Sequence, residues 1–269
     1  IRVIRSYDIK ETIDFIITLS KKVDKNIDFF CNSDNNNNSN NNNNNNNNSN
    51  ENSNNKYGWK RDYHDTRDHK YECKEYDNTQ YFDHRSKCPE VYDQGNLGSC
   101  TANAIGFAYE FDEIIQKETD VFEPSRLFIY YNERAMEDTV NTDSGASIRD
   151  GIKSINKIGV CSEDMWKYDI SQFTVKPTEE CYKAAENHKS VKYSRVNQDK
   201  ESIISALSEG YVVPFGFKVY ESFENGSVKD DGIMSMPDED ERCLGGHAVA
   251  IVGNIKIKDT EYFIVRNSW

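Results

Sequence analysis

The sequence predicts an α+β fold of two lobes, one helical and one built on an antiparallel sheet, from three patterns. After Cys100, residues Ala102, Ile105, Ala108, Tyr109, Asp112 and Ile115 recur at spacings of three and four, the period of one helix face. Ile148, Ile152, Ile155 and Ile158 repeat that period. Near the other end, the apolar runs 248–252 and 262–265 flank a polar connection from Asn254 to Thr260, the pattern of an antiparallel hairpin.

Taken in order, residues 1–31 carry Ile9, Ile13, Phe15, Ile16, Ile17, Leu19, Val23, Ile27 and Phe29 with Lys21, Lys22 and Lys25 near the end, which predicts an amphipathic helical extension. From 32 to 55, 18 of 24 residues are asparagine and none is apolar, so a disordered linker with nothing to bury is expected. Residues 56–269 are enough for one domain with a substantial core. Tyr57-Gly58-Trp59 and the stretch from Asp62 to Asp68 read as an extended strand at the start of that domain, on its surface or leading to the loop before Cys100. Leu127, Phe128, Tyr130 and Tyr131 continue the helical lobe, and a polar turn from Asn141 to Ser147 precedes the isoleucine helix. A short helix over 201–209, a strand over 211–219 and a glycine- and charge-rich loop over 223–234 complete the second lobe. No run reaches the roughly 18 apolar residues of a membrane span.

Chemistry concentrates at two places. Gln94, Gly95, Asn96, Leu97, Gly98, Ser99 and Cys100 form a glycine-bearing loop ending where a helix begins, so Cys100 sits among unpaired N–H groups at the positive end of the helix dipole. That setting favours thiolate over thiol, and the thiolate is the nucleophile. Gln94 can offer its side-chain amide to an oxyanion. The second place is Gly245-Gly246-His247 together with Arg266-Asn267-Ser268-Trp269. A hairpin centred near Ile257 sets His247 opposite Asn267, whose side-chain oxygen would fix the imidazole tautomer and aim the other nitrogen at the nucleophile. Trp269 would shield that hydrogen bond from water.

These blocks, Gln94, Gly98-Ser99-Cys100, Gly246-His247-Ala248 and Asn267-Ser268-Trp269, resemble the active-site blocks of papain-family (cathepsin-like) cysteine peptidases, in the same order along the chain. The resemblance covers about residues 57–269. It implies a two-lobed fold with the active cleft between the lobes, a Cys100–His247–Asn267 catalytic set assisted by Gln94, and polypeptide substrates. It also places the Ser144-Gly145-Ala146 turn, with Gly145, and Gly246 beside an extended substrate, which glycine lets approach closely; an ordinary turn is the alternative for Gly145. The chain departs from the family where Leu97 replaces a disulfide-forming cysteine and Thr101 replaces an aromatic residue. The family continues past the Asn-Ser-Trp block with further strands, so a C-terminally incomplete domain is expected. The missing cysteine leaves a lysosomal or vacuolar-like compartment and the cytoplasm both open.

No cofactor is implied. Cys73, Cys88, His64, His69 and His84 cluster in sequence, but their spacings fit no usual zinc pattern, so no metal is expected. The cysteines other than Cys100 number six, which permits disulfides without fixing a pairing. A net charge of −13 argues against nucleic-acid or anionic-membrane partners, and the acidic run through Asp230, Asp231 and 238–241 reads as a solvated face or a flank of the cleft. Two readings compete with peptide hydrolysis: a thiol acyltransferase using the same residues, and a catalytically inactive binding homologue.

Overall fold

The computed structural model describes residues 57–269, apart from positions 78, 118, 191, 225–227, 229–231 and 235, and the backbone of residues 2–5 and 13–20. Two cores lie side by side. The first surrounds α1 (Cys100–Gln116), whose residues from Cys100 to Glu113 are all buried. Against it pack α2 (Arg126–Met136), α3 (Ile148–Lys157) and α4 (Glu179–Ala185). The N-caps follow from sequence: the hydroxyl of Ser125 accepts from Phe128 N and that of Ser147 from Asp150 N, each satisfying a donor that a helix start leaves open.

The second core lies against a seven-stranded sheet and α5 (Lys200–Ser208). The sheet takes in β1 (Arg2–Arg5), β2 (Ile13–Ser20), β5 (Lys192–Arg195), β6 (Val213–Tyr220), β7 (Ile233–Met234), β8 (Cys243–Ile257) and β9 (Thr260–Arg266), in the order β5-β2-β6-β8-β9-β1-β7. A separate two-stranded sheet joins β3 (Trp59–Lys60) in parallel to β4 (Ala146–Ser147). A short helix, α6 (Glu221–Glu224), follows β6. The α+β architecture agrees with the reading of the sequence, as do α1, α2, α3 and α5 and the strands β6, β8 and β9.

Two expectations are corrected. The helical extension expected over 1–31 is instead represented by two strands: β2 pairs antiparallel with both β5 and β6, and β1 lies between β9 and β7. The run Ile13, Ile16, Ile17 and Thr18 is β-branched and suits a strand, and pairing with β5 and β6 supplies the tertiary support that a short isolated helix would lack. The intervening residues and the linker over 32–55 lie outside the described residues. The hairpin centre is also displaced. β8 runs unbroken through Asn254 to Ile257, Ile257 pairs with Thr260, and the turn is only Lys258-Asp259, with Lys258 at φ 56°. A bulge between Ile251 and Gly253 shifts the register again, so Ala250 faces Arg266 and His247 is not the ladder partner of Asn267.

Candidate active site

Cys100 opens α1, with Ser99 as N-cap. The loop before it is held from both sides. The Asp143 carboxylate accepts from Gly98 N (3.0 Å) and from the Tyr130 hydroxyl, tying the Gly145 turn to the Cys100 loop. On the other side Gln94 N donates to Ser268 O (3.0 Å), Ser268 Oγ donates to Gln94 Oε1 (2.6 Å), and Gln94 Nε2 donates to Leu97 O (3.0 Å). The Gln94 amide therefore also fixes the loop, a duty that the sequence did not reveal.

His247 and Asn267 meet despite the shifted register. The ring Nε2 donates to Asn267 Oδ1 at 2.8 Å, since that oxygen can only accept, and the same oxygen accepts from Ser268 N at 2.9 Å. Trp269 stacks on the imidazole with centroids 4.7 Å apart and an interplanar angle of 20°. Phe217 and Phe223 turn toward it at 5.8 and 6.4 Å. The ring is 0% exposed, so its hydrogen bond is shielded from water. The Cys100 sulfur faces the backbone N–H of Ala248, the residue after His247, and those of Gly58 and Thr101. Nucleophile candidate and imidazole thus belong to adjoining residues of the two lobes.

The thiol does not have the raised acidity expected of a helix start. Cys100 is 0% exposed, and burial pushes it up to about 12, outweighing the donors around it. Segment 57–60, expected to be an extended strand on the domain surface or leading to the loop before Cys100, takes part in that burial through Gly58. β3 instead runs between the lobes: Ala146 N donates to Gly58 O at 2.8 Å, and Trp59 pairs with Ala146. Both glycines assigned to substrate face this segment. A Cβ on Gly145, which sits at φ 67°, would stand 1.9 Å from Gly58 O, and one on Gly246 would stand 2.3 Å from Trp59 O. Gly58 is equally tight, for its own Cβ would stand 1.8 Å from Gly98 O. The segment is tied down at both ends, by the Tyr57 hydroxyl to Glu224 and by the Lys60 ammonium to Glu137. The Tyr57 ring rests its edge on His247 at 5.7 Å.

Asp143 was not singled out from sequence, Ser268 was named only as part of the Asn-Ser-Trp block, and residues 57–59 were read as an extended strand with no place over Cys100. Three side chains of the region before Cys100 are engaged elsewhere: His84 Nε2 bonds Leu207 O, Cys88 Sγ bonds His84 O, and Cys73 Sγ bonds Ser202 Oγ. Among the described residues no three His, Cys, Asp or Glu side chains form a group able to hold a metal, and no helix is long and apolar enough to cross a membrane.

The profile of the papain family cysteine proteases matches residues 74–269. An uncharacterized peptidase C1-like protein of Acanthamoeba polyphaga mimivirus is 51% identical over 185 residues, which cover 66% of this chain and 59% of that relative. The crystal structure of xylellain, a cysteine protease from Xylella fastidiosa, superposes with a TM-score of 0.68 at 38% identity, over 80% of this chain and 85% of that one. Digestive procathepsin L 3 of Tenebrio molitor larval midgut shares the fold, with a TM-score of 0.59 at 18% identity over 74% of this chain and 63% of that one. The chain belongs to the papain family of cysteine proteases.

Proposed function

We propose that this chain is a cysteine peptidase that hydrolyses peptide bonds of polypeptide substrates with Cys100, His247 and Asn267, and that residues 57–60 hold it latent in the conformation described. The observation that carries this is the placement of the Cys100 sulfur against Ala248 N, beside a histidine whose Nε2 is bonded to Asn267 Oδ1. Family membership and the likeness to the Xylella fastidiosa cysteine protease support it.

In the proposed reaction Cys100 attacks the scissile carbonyl as thiolate, paired with the His247 imidazolium. The Cys100 backbone N–H and the second N–H of the Gln94 amide hold the oxyanion. His247 protonates the leaving amine and then takes a proton from the water that releases the acyl group. Asn267 fixes the ring by its bond to Nε2, and Trp269 keeps that bond dry. Gly145 and Gly246 would receive the extended substrate where Gly58 and Trp59 now lie. The test is labelling of the full chain with an epoxide or vinyl-sulfone peptide probe, followed by mass-spectrometric mapping. Modification of Cys100 supports the reading, and modification chiefly of another cysteine refutes it.

A further inference from the structure

Thr101 stands where the family carries an aromatic residue, and its side chain points inward to an acid that the reaction scheme does not use. Glu133 of α2 is fully buried, and its Oε1 accepts from Thr101 Oγ1 at 2.6 Å. Its Oε2 is buried with no hydrogen-bond partner among the described residues. Room for this carboxyl comes from α3, where a Cβ on Gly151 would stand 2.5 Å from Oε2 and 2.4 Å from Ile105 Cδ1. Ser99 makes no capping bond to a backbone N–H of α1; its Oγ accepts instead from the Asn103 side-chain amide at 3.1 Å and meets the Tyr168 hydroxyl, so side-chain bonds hold the first turn on both sides of Cys100, at Ser99 and at Thr101.

From this we propose that Glu133 is a positioning residue that fixes Cys100 through Thr101, in place of the family's aromatic anchor. The proposal rests on Cys100 being the nucleophile. A hydrogen bond from the first turn of α1 to a rigid neighbouring helix holds the Cys100 backbone N–H and sulfur in register with Ala248 N. The groups that bear on Glu133 are Cys100 and Thr101 from α1, Arg134 and Glu137 from its own helix and Asp150 from α3. Arg134 is committed to the carbonyls of Tyr130, Val140 and Thr142. Burial acts first, the Thr101 bond opposes it and Glu137 and Asp150 add to it, so the carboxyl is held well above the usual carboxylate range, which favours its neutral form. That suits its place, because a charge there would oppose a Cys100 thiolate.

The test is the rate of Cys100 alkylation by iodoacetamide, located by mass spectrometry, in the full chain with and without Gly58→Ala to displace the covering strand. Thr101→Val and Glu133→Ala are each expected to slow alkylation at pH 8 about fivefold, the effect of one lost buried hydrogen bond, in both backgrounds. In the Gly58→Ala background their pH profiles should move up by about half a unit to one unit. Thr101→Ser and Glu133→Gln should restore rate and profile, which a purely volumetric role in the core would not require. Wild-type rates in Thr101→Val and Glu133→Ala would overturn the proposal. So would a Glu133→Gln variant as slow as Glu133→Ala, or one faster than wild type, which would reveal a charged Glu133. Should Cys100 stay unreactive in every variant, it is the nucleophile reading that falls. The ¹³Cβ resonance of Cys100 then decides the positioning claim: it must shift in Thr101→Val and Glu133→Ala and return in Thr101→Ser and Glu133→Gln.

Discussion

Replacing Gly58 by alanine should activate the Cys100 thiol. The new Cβ would stand 1.8 Å from Gly98 O and 2.4 Å from Gly98 C, both main-chain atoms that no side-chain rotation relieves. β3 is only two residues long; leaving the cleft gives up the Ala146 N to Gly58 O bond, the packing of Trp59 and the ties of Tyr57 to Glu224 and of Lys60 to Glu137. In the covered state burial pushes Cys100 up to about 12 from an ordinary value near 9. At pH 8 that is a thiolate fraction of about 10⁻⁴ against about 10⁻¹, a thousandfold difference. A less basic thiolate is intrinsically a weaker nucleophile, with a Brønsted slope of about 0.4–0.5, which leaves about a 30- to 60-fold gain before any gain in access is added. The assay is the second-order rate of iodoacetamide modification of Cys100 at pH 8, with circular dichroism confirming that both proteins are folded. A folded Gly58→Ala protein whose Cys100 reacts no faster than wild type would refute the argument that residues 57–60 keep the thiol silent.

Other outcomes follow from the same geometry. In the Gly58→Ala background, His247→Ala should abolish hydrolysis of a fluorogenic peptide, while Asn267→Ala should lower it only about tenfold, since orienting a base is worth less than being one; equal losses would contradict this order. Ser268→Ala removes the bond that fixes Gln94 Oε1 and should lower kcat about tenfold with little change in KM; an effect on KM alone would argue against Gln94 as an oxyanion donor. Deleting residues 1–55 takes away β2, which lies between β5 and β6, and should lower the melting temperature by more than about 4 °C; an unchanged melting curve would contradict the sheet order. Asp62 is raised to about 6, first by burial, with Arg149 opposing. Its folded form holds a proton more tightly than the unfolded chain does, so its contribution to stability is full below pH 4 and is lost as pH rises through 6. Asp62→Asn should therefore flatten the melting temperature between pH 4 and pH 7, and an unaltered slope would refute the assignment.

The parts of the site legible in the sequence are those built from local pattern. Cys100 at a helix start followed from the three-and-four spacing behind it, and His247 meeting Asn267 followed from two apolar runs folding back. The contact survived a mistaken register because a bulge and a two-residue turn change which backbone atoms pair, while two side chains on the same face still reach each other across 2.8 Å. The rest was hidden because it depends on distant partners. Nothing local to Tyr57-Gly58-Trp59 says that it lies over Cys100; that depends on Gly98, Gly145 and Gly246 leaving space for backbone on three sides. Nor does the period of residues 9–29 reveal that part of it pairs with β5 and β6, since a β-branched run beside lysines satisfies a helix pattern and a strand equally. The acidity of Cys100 was misjudged for the same reason: a helix dipole is local, whereas desolvation comes from whatever covers the site.

The central claim is that Cys100, activated beside His247, is the nucleophile. Its most direct test is site-mapped labelling of the full Gly58→Ala chain by a vinyl-sulfone peptide, run alongside the same chain carrying His247→Ala. The account predicts one modified residue, Cys100, labelled rapidly near neutral pH in the first protein and at least about 100-fold more slowly in the second. Label on Cys73, Cys88 or Cys243 instead, or undiminished labelling of Cys100 without the imidazole, would contradict it.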